Sequence, residues 1–461
     1  MTEDTTAKTA APTEAPQDAP EGAAQEATAE NGASKMRPPP SFAWLLGGGF
    51  ISMLGDQFTI IGLPWLTLKL TGDPLALGFV LALIGIPRAI FILLGGAIVD
   101  KYAPKSVLLI SKYINSGLLG LLAALVYTGG ITMPILYGLS VAIGLSSAFA
   151  IPAGTSILPF VVPKAALHKA NGLLMGMRQI TMFLGPVIAG LVIAGFGSHK
   201  VGAHVTVEDT AGLALVFALD GLSFLLSAFT LYKVHLHADA PVPEKGGDSV
   251  MKLLISGLTR AFKDTELRAM MLYMGLIQLF IGGPIQVGLP VFAETQLGGG
   301  AASFGTLMGA NGIGMLIGVI LAGTGKTPRW PSVGWMFLSV DFTLGLLLTT
   351  FGHIDSTLVG AAFMAGVGLF GGMVQVKSFA WLQGRTNPAE MGRVMSLFMF
   401  IVLGVAPLSA SAGGWLLSHT TIVHFFTVCG LALSTVAGLS MLVPAIRRIG
   451  QAETQTQQPA A

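Results

Sequence analysis

Long apolar stretches recur along almost the whole chain, each roughly the 20 residues that a bilayer core asks of a helix. They fall at about 42–70, 76–99, 106–127, 131–153, 170–196 and 211–232, and again at about 268–293, 303–324, 332–352, 357–380, 393–417 and 421–446. Short turns with Gly or Pro, such as Thr71-Gly-Asp-Pro74 and Thr128-Gly-Gly130, separate most of them. The pattern predicts an all-α membrane protein with twelve transmembrane helices. Two ends break it. Residues 1–40 are rich in Ala, Thr, Glu and Pro without one aromatic side chain, and are expected to form a disordered tail. They also lack the apolar core of a cleavable signal peptide. Residues 449–461 read as a second, shorter tail.

The longest polar interval, residues 235–264, contains Pro241, Pro243 and a Gly246-Gly247 pair. It is expected to be a central loop between two bundles of six helices, residues 41–234 and 265–448. The halves resemble each other. Gly62-Leu63-Pro64 recurs as Gly288-Leu289-Pro290, and Gly85-Ile86 recurs as Gly312-Ile313, at offsets of 226 and 227. A shared offset points to a duplicated six-helix unit.

Composition agrees. Of 461 residues, 52% are hydrophobic and 10% charged, against about 25% charged in soluble domains. So few charges cannot cover a water-facing surface. The 61 glycines suit closely packed membrane helices. A net charge of +2 recruits no nucleic acid. The single cysteine, Cys429, excludes an intrachain disulfide and a thiolate cluster. Basic residues gather on one side: Lys101 and Lys105, Lys164 and Lys169, Lys233 to Lys263, Lys326 and Arg329, Arg385, then Arg447 and Arg448. Lys200 is almost the only one opposite. The positive-inside rule then makes both termini cytoplasmic, in a cell inner (plasma) membrane protein.

Enzyme signatures are missing. Gly323-Thr-Gly-Lys326-Thr327 lacks the spacing of a phosphate loop. No metalloprotease helix or nucleophile elbow occurs, and His235 and His237 read as solvated. We expect no enzyme, cofactor or metal site.

Gly96-Ala-Ile-Val-Asp100-Lys101-Tyr-Ala-Pro-Lys105 resembles the signature that follows the second helix of the major facilitator superfamily. Gly96 permits close helix contact. Asp100, Lys101 and Lys105 stand where charges can bind a neighbouring helix end in one conformation and release it in another. The second-half counterpart near Gly323 to Arg329 keeps the bases without the acid, so such a latch is asymmetric. Gly55-Asp56-Gln57 with Leu63-Pro64-Trp65, and Pro388-Ala-Glu-Met-Gly392-Arg393-Val-Met-Ser396, resemble the macrolide-efflux and enterobactin-exporter branch. Gly185-Pro186 with Gly190, near Arg178, is partly similar to the antiporter signature of the fifth helix. The resemblance implies a secondary transporter, exporting a small hydrophobic or amphipathic compound against inward proton flow. A lysophospholipid flippase, a proton-coupled importer of a small metabolite and a non-transporting sensor remain alternatives. The partners implied are a small-molecule substrate, protons and membrane lipids, and the protein is expected to be a monomer.

Ionisable residues deep in apolar stretches are costly and usually face a cavity or a partner. Asp56 and Arg88 lie near the middle of the first two spans, and a proton-coupling pair or a fixed ion pair fits them. Asp220 in the sixth span suits a hydrogen bond to a neighbouring helix. Asp341 in the ninth span has Lys377 or water as its partner. Arg178 is expected to anchor the cytoplasmic ends of the first half. Gln57, Gln278, Gln286, Asn311 and Gln375 are candidate cavity residues, and Phe58, Trp65, Met274 and Phe280 candidate apolar lining. Pro64, Pro186, Pro284 and Pro407 are candidate hinges.

Overall fold

The computed structural model describes residues 39–163, 166–196, 207–236, 264–325, 327–386 and 391–451. Residues 1–38 and 452–461 of the expected tails, residues 237–263 of the central loop and residues 388–390 of the segment that ends at Ser396 lie outside them. Among the described residues, twelve helices are long and apolar enough to cross a membrane. They are α1 (Pro40–Thr71), α2 (Pro74–Lys101), α3 (Pro104–Tyr127), α4 (Met133–Ser156), α5 (Leu167–Phe196), α6 (Val207–Tyr232), α7 (Thr265–Thr295), α8 (Gly300–Gly323), α9 (Val333–Phe351), α10 (Thr357–Arg385), α11 (Met391–Ser418) and α12 (Ile422–Ser440). A short α13 (Pro444–Arg447) follows. The last span therefore stops at Ser440, six residues before the expected 446. Apolar side chains such as Leu222, Leu226 and Phe229 of α6 are exposed, as a lipid-facing surface requires.

The helices alternate in direction, so α1 begins and α12 ends at one end of the bundle, here the tail end. The opposite end is the far end. Within the first half α2 packs on α4, α3 on α6, and α1 on α5 and α6. The second half repeats this with α8 on α10, α9 on α12, and α7 on α11 and α12. The repeated tripeptides occupy matching places. Gly62 receives Phe217 of α6, and Gly288 receives Phe425 and Phe426 of α12.

The halves meet where α2 crosses α11 and α5 crosses α8. Small residues make the crossings possible, because membrane helices gain from close backbone contact rather than from a hydrophobic drive between them. A Cβ on Gly78 would lie 2.6 Å from the Ala410 carbonyl oxygen. One on Gly190 would lie 2.5 Å from that of Ala301 and 3.1 Å from Gly305 Cα. These contacts belong to the far half. There a single apolar core joins residues of both halves, from Trp65, Leu77 and Phe217 to Phe292, Phe304 and Phe426. At the tail end the core divides. One cluster holds Phe42, Val107, Ile157 and Leu231 of the first half. A separate one holds Met270, Phe337, Trp381 and Leu433 of the second. The bundle is thus closed at the far end and split at the tail end.

Of the four candidate hinge prolines, Pro64, Pro186 and Pro407 lie inside continuous α-helix. Only at Pro284 does the ladder change, to a π turn through Gly288. Pro284 has no N–H to give, and the Ser409 hydroxyl of α11 accepts from Gly283 N–H while donating to the Leu279 carbonyl.

At the tail end Asp264 caps α7, accepting from the Glu266 and Leu267 N–H groups. Arg385 at the end of α10 donates to both its oxygens, at 2.9 and 3.1 Å, and pairs with Glu266. Burial alone would raise the Asp264 carboxyl. The Arg385 hydrogen bonds and charge and the two backbone N–H groups outweigh it, and hold the group below its ordinary value. A lowered carboxyl stabilises the fold above the ordinary carboxylate range, and that contribution is lost as pH falls through the folded value. Asp264→Asn is therefore expected to lower the melting temperature at neutral pH, with the difference from wild type vanishing in acid. Melting of the purified protein across pH checks this.

A second expectation concerns the seam. Gly305→Leu would force a side chain onto the Pro186 carbonyl and Gly190, and overpacking of this kind costs about 1–3 kcal/mol. The closed far end should loosen and the tail-end opening narrow. A cysteine in place of Met175, in a Cys429→Ser background, should then react with a thiol reagent roughly tenfold more slowly. An unchanged rate would show that this seam does not hold the conformation.

Candidate functional site

The tail-end opening is a cleft, and α5 shows its walls. Met182, Pro186 and Gly190 form the stripe that packs on α8. One and two turns towards the tail end, the same stripe continues as Arg178 and Met175, and both are exposed. Arg178 stands roughly 16 Å from the start of α5. It makes no side-chain hydrogen bond or ion pair among the described residues and faces the opening, away from the helix ends it was expected to anchor.

Asp56 lies midway along α1. Gly48, Gly55 and Gly62 turn one face of that helix to α6, and Leu54 and Gln57 turn another to Gly185 of α5. Asp56 belongs to neither face and is exposed. On α2, Ile84 packs against Gly144 of α4, and Gly85 against Pro407 of α11. Arg88, one turn on, projects between those two faces. It is half-buried, and its Nε is buried without a hydrogen-bond partner. Asp56 and Arg88 act on each other electrostatically but form no contact ion pair. Both therefore keep unspent hydrogen-bonding capacity.

A third cation belongs to this group. Lys112 of α3 is buried, 7% exposed, and donates to Ser52 Oγ of α1 at 3.1 Å. Its ammonium sits 5.5 Å from the centre of the Phe224 ring of α6. Like Arg88, it lies within electrostatic reach of Asp56. Lys112 was absent from the expected site. It stands only eight residues into α3, where it reads as one more lysine of the tail-end cluster. A signal existed in the buried polar stripe Ser111, Lys112 and Asn115.

Asp220 of α6 is 1% exposed. It accepts hydrogen bonds from Thr59 of α1 and, within its own helix, from Ser223. The first of these is the bond to a neighbouring helix that its place in the sixth span suits. In the second half, Asp341 is buried and accepts from the Tyr273 hydroxyl of α7 at 2.7 Å. Lys377, its candidate partner, makes no ion pair with it.

The polar candidates are dispersed. Gln57 lies against Gly185, and Asn311 donates to the Met364 carbonyl of α10. Gln278 is half-buried before the π turn and Gln286 within it, whereas Gln375 is exposed. Phe58 and Trp65 are buried; Met274 and Phe280 edge the tail-end core of the second half. Of the signature loop, α2 continues through Gly96 and Asp100 to Lys101. Lys105 donates to the Tyr232 and Val234 carbonyls at the end of α6, at 3.0 and 2.7 Å. The far end is pinned by Lys69 of α1 and Glu294 of α7, 3.2 Å apart across the halves. No group of three or more His, Cys, Asp or Glu fit to hold a metal occurs among the described residues.

Known proteins share this architecture. The chain is 22% identical over 410 residues to an uncharacterized MFS-type transporter of Sinorhizobium fredii, covering 87% of this chain and 95% of the relative. It is also 22% identical over 426 residues to the enterobactin exporter EntS of Escherichia coli O1:K1, covering 92% and 96%. Among solved structures, a bacterial homologue of the iron transporter ferroportin in its inward-facing state aligns with a TM-score of 0.63 at 18% identity, covering 87% of this chain and 98% of that one. The nucleoside transporter NupG aligns with a TM-score of 0.63 at 12% identity, covering 91% and 100%. These likenesses carry the fold, and the sequence carries the family. The Major Facilitator Superfamily profile matches residues 45–411, from the second turn of α1 into α11 and so across both repeats, and the chain belongs to that superfamily of multi-pass membrane transporters.

Proposed function

We propose that the protein is a proton-coupled secondary transporter that exports a small hydrophobic or amphipathic compound by alternating access. The observation that carries this reading is the cleft. It opens at one end only, and Asp56 is exposed beside it at mid-depth, within electrostatic reach of two cations. With the basic tail-end loops cytoplasmic, this conformation is open to the cytoplasm. The two six-helix bundles, 41–234 and 265–448, rock about the crossings of α2 with α11 and α5 with α8. Opening the far end then breaks Lys69–Glu294, a single hydrogen-bonded pair whose side chains are about a fifth exposed.

Asp56 is the proton carrier. Its carboxyl alternates between an ionised form, held by the cations around it, and a protonated form that releases them. Arg88 keeps free donors for cargo or for the ionised acid. Export as the direction rests on the full-length similarity to a siderophore exporter.

The test is transport into everted vesicles from cells lacking their major pumps, across dyes, macrolides and siderophores, with and without a protonophore. Wild-type protein is expected to drive protonophore-sensitive accumulation of at least one compound. Asp56→Asn should reduce it to the protonophore background. Unchanged proton dependence in that variant would remove Asp56 as the carrier.

A further inference from the structure

Lys112 has an unusual position. Its hydrogen-bond partner, Ser52, is one turn tail-ward of Asp56 on α1, and its aromatic contact, Phe224, is one turn tail-ward of Asp220 on α6. The helices are antiparallel, so the ammonium lies one helical turn below both carboxylates, at the seam between them. Here α1 and α6 approach closely. Gly55 leaves no room for a Cβ, which would strike Ser223 and lie 2.5 Å from Asp220 Oδ1. Lys112 acts electrostatically on both acids, yet forms an ion pair with neither. A buried ammonium held by one hydroxyl and one ring is poorly compensated, and its flexible stem of about four carbons spans a helical turn.

The two acids differ in what they can exchange. Asp56 is exposed. Asp220 is sealed, with hydroxyls donating to its carboxyl from two sides. The other charged groups nearby are Arg88 from α2 and Arg178 from α5. The helix α4 brings no Asp, Glu, Lys, Arg or His; its Tyr137 meets Phe79 edge-to-face.

We infer that Lys112 is a counter-ion shared by Asp56 and Asp220, a positioning residue that closes on Asp56 when the proton leaves and turns to Asp220 when it returns. The inference deepens the coupling role proposed for Asp56 and rests on that site. The proton exchanges at Asp56 alone, so the net charge of the site changes by one; the move of Lys112 across the α1–α6 seam places its cation against Asp56 when that acid is ionised and returns it to Asp220 when it is not. Through Ser52 and Phe224 the same move alters how α3 holds α1 and α6, which gives protonation a mechanical consequence.

Dicyclohexylcarbodiimide, which modifies protonated carboxyls, provides a readout that requires no transport. In the purified full-length protein, labelling of Asp56 is followed by mass spectrometry against pH. Lys112→Met should shift the midpoint of labelling to higher pH, by about one unit or more, because an opposite charge no longer favours the ionised acid. Asp220→Asn should shift it to lower pH, since Lys112 then serves Asp56 alone and a like charge is gone. Lys112→Arg should lie near wild type. A merely structural role for Lys112 predicts lost yield or slower transport with an unmoved midpoint. A midpoint unmoved in Lys112→Met, or shifted the same way in Lys112→Met and Asp220→Asn, overturns the inference. If Lys112→Met does not accumulate, Asp220→Asn decides alone, and a midpoint that fails to fall overturns it. Should Asp56→Asn leave proton-dependent export unchanged while the labelling midpoints move as expected, the coupling role fails and the shared counter-ion stands.

Discussion

The structure depends on a backbone approach. At Gly78 with Ala410 and Gly414, and at Gly190 with Gly305, helices of opposite halves come so close that no side chain fits between them. In a bilayer, lipid tails solvate apolar side chains as well as other helices do, so close packing and its dispersion contacts supply the attraction that water supplies elsewhere. The small-residue crossings lie in the far half. Towards the tail end the stripe on α5 changes from Met182, Pro186 and Gly190 to Arg178 and Met175, and contact gives way to exposure. Closure and opening thus follow from one change of residue type along one helix face. The fused far-end core and the two separate tail-end cores are its consequence.

Because the cleft ends where the crossings begin, it ends near mid-depth, and the ionisable groups gather there. An unpaired charge at that depth is tolerated only where water or a partner reaches it. Asp56 has the cleft. Asp220 has two hydroxyls. Lys112 has a serine hydroxyl and an aromatic face, the least complete compensation of the three. The second half resolves the same problem differently, by hydrogen-bonding its buried acid, Asp341, to Tyr273. The charge of the site is therefore concentrated in the first half, although the two halves share their helix packing.

Much of this was legible in the sequence, because length and apolarity alone specify a membrane span. All twelve spans were, and so was the duplication: the Gly62 and Gly288 tripeptides fall on equivalent helix pairs, α1 with α6 and α7 with α12. What escaped was governed by three-dimensional neighbours. Lys112 lies close enough to a helix start to read as a residue reaching the interface, and only its burial against α1 and α6 distinguishes it. Asp341 was given two candidate partners, neither of them Tyr273, since a pairing between α7 and α9 leaves no local trace. The π turn at Pro284 was read as one hinge among four. The difference is that Ser409 of a neighbouring helix stands ready to bond the groups the turn disturbs. The end of α12 was overestimated because Met441 to Ile446 is apolar enough to continue a span, while Pro444 imposes the break.

The repeat also shows where the halves diverged. Asp341 stands 226 positions after Asn115, the offset that relates the Gly-Leu-Pro tripeptides. Both residues are buried on the third helix of their half, and both helices are tied to the first helix of that half by a polar pair: Lys112 with Ser52, and Asp341 with Tyr273. The two ties are not at matching positions, since at that offset Lys112 matches Leu338 and Ser52 matches Gln278, so each half has built its own polar pair between the same two helices. The second version is satisfied within itself and isolated from the cleft. The first leaves a buried cation within electrostatic reach of two carboxylates, one of them exposed. A duplicated scaffold of this kind can keep one half as a rigid partner and place a titratable charge in the other, and in the coupling proposed above that task falls to the first half.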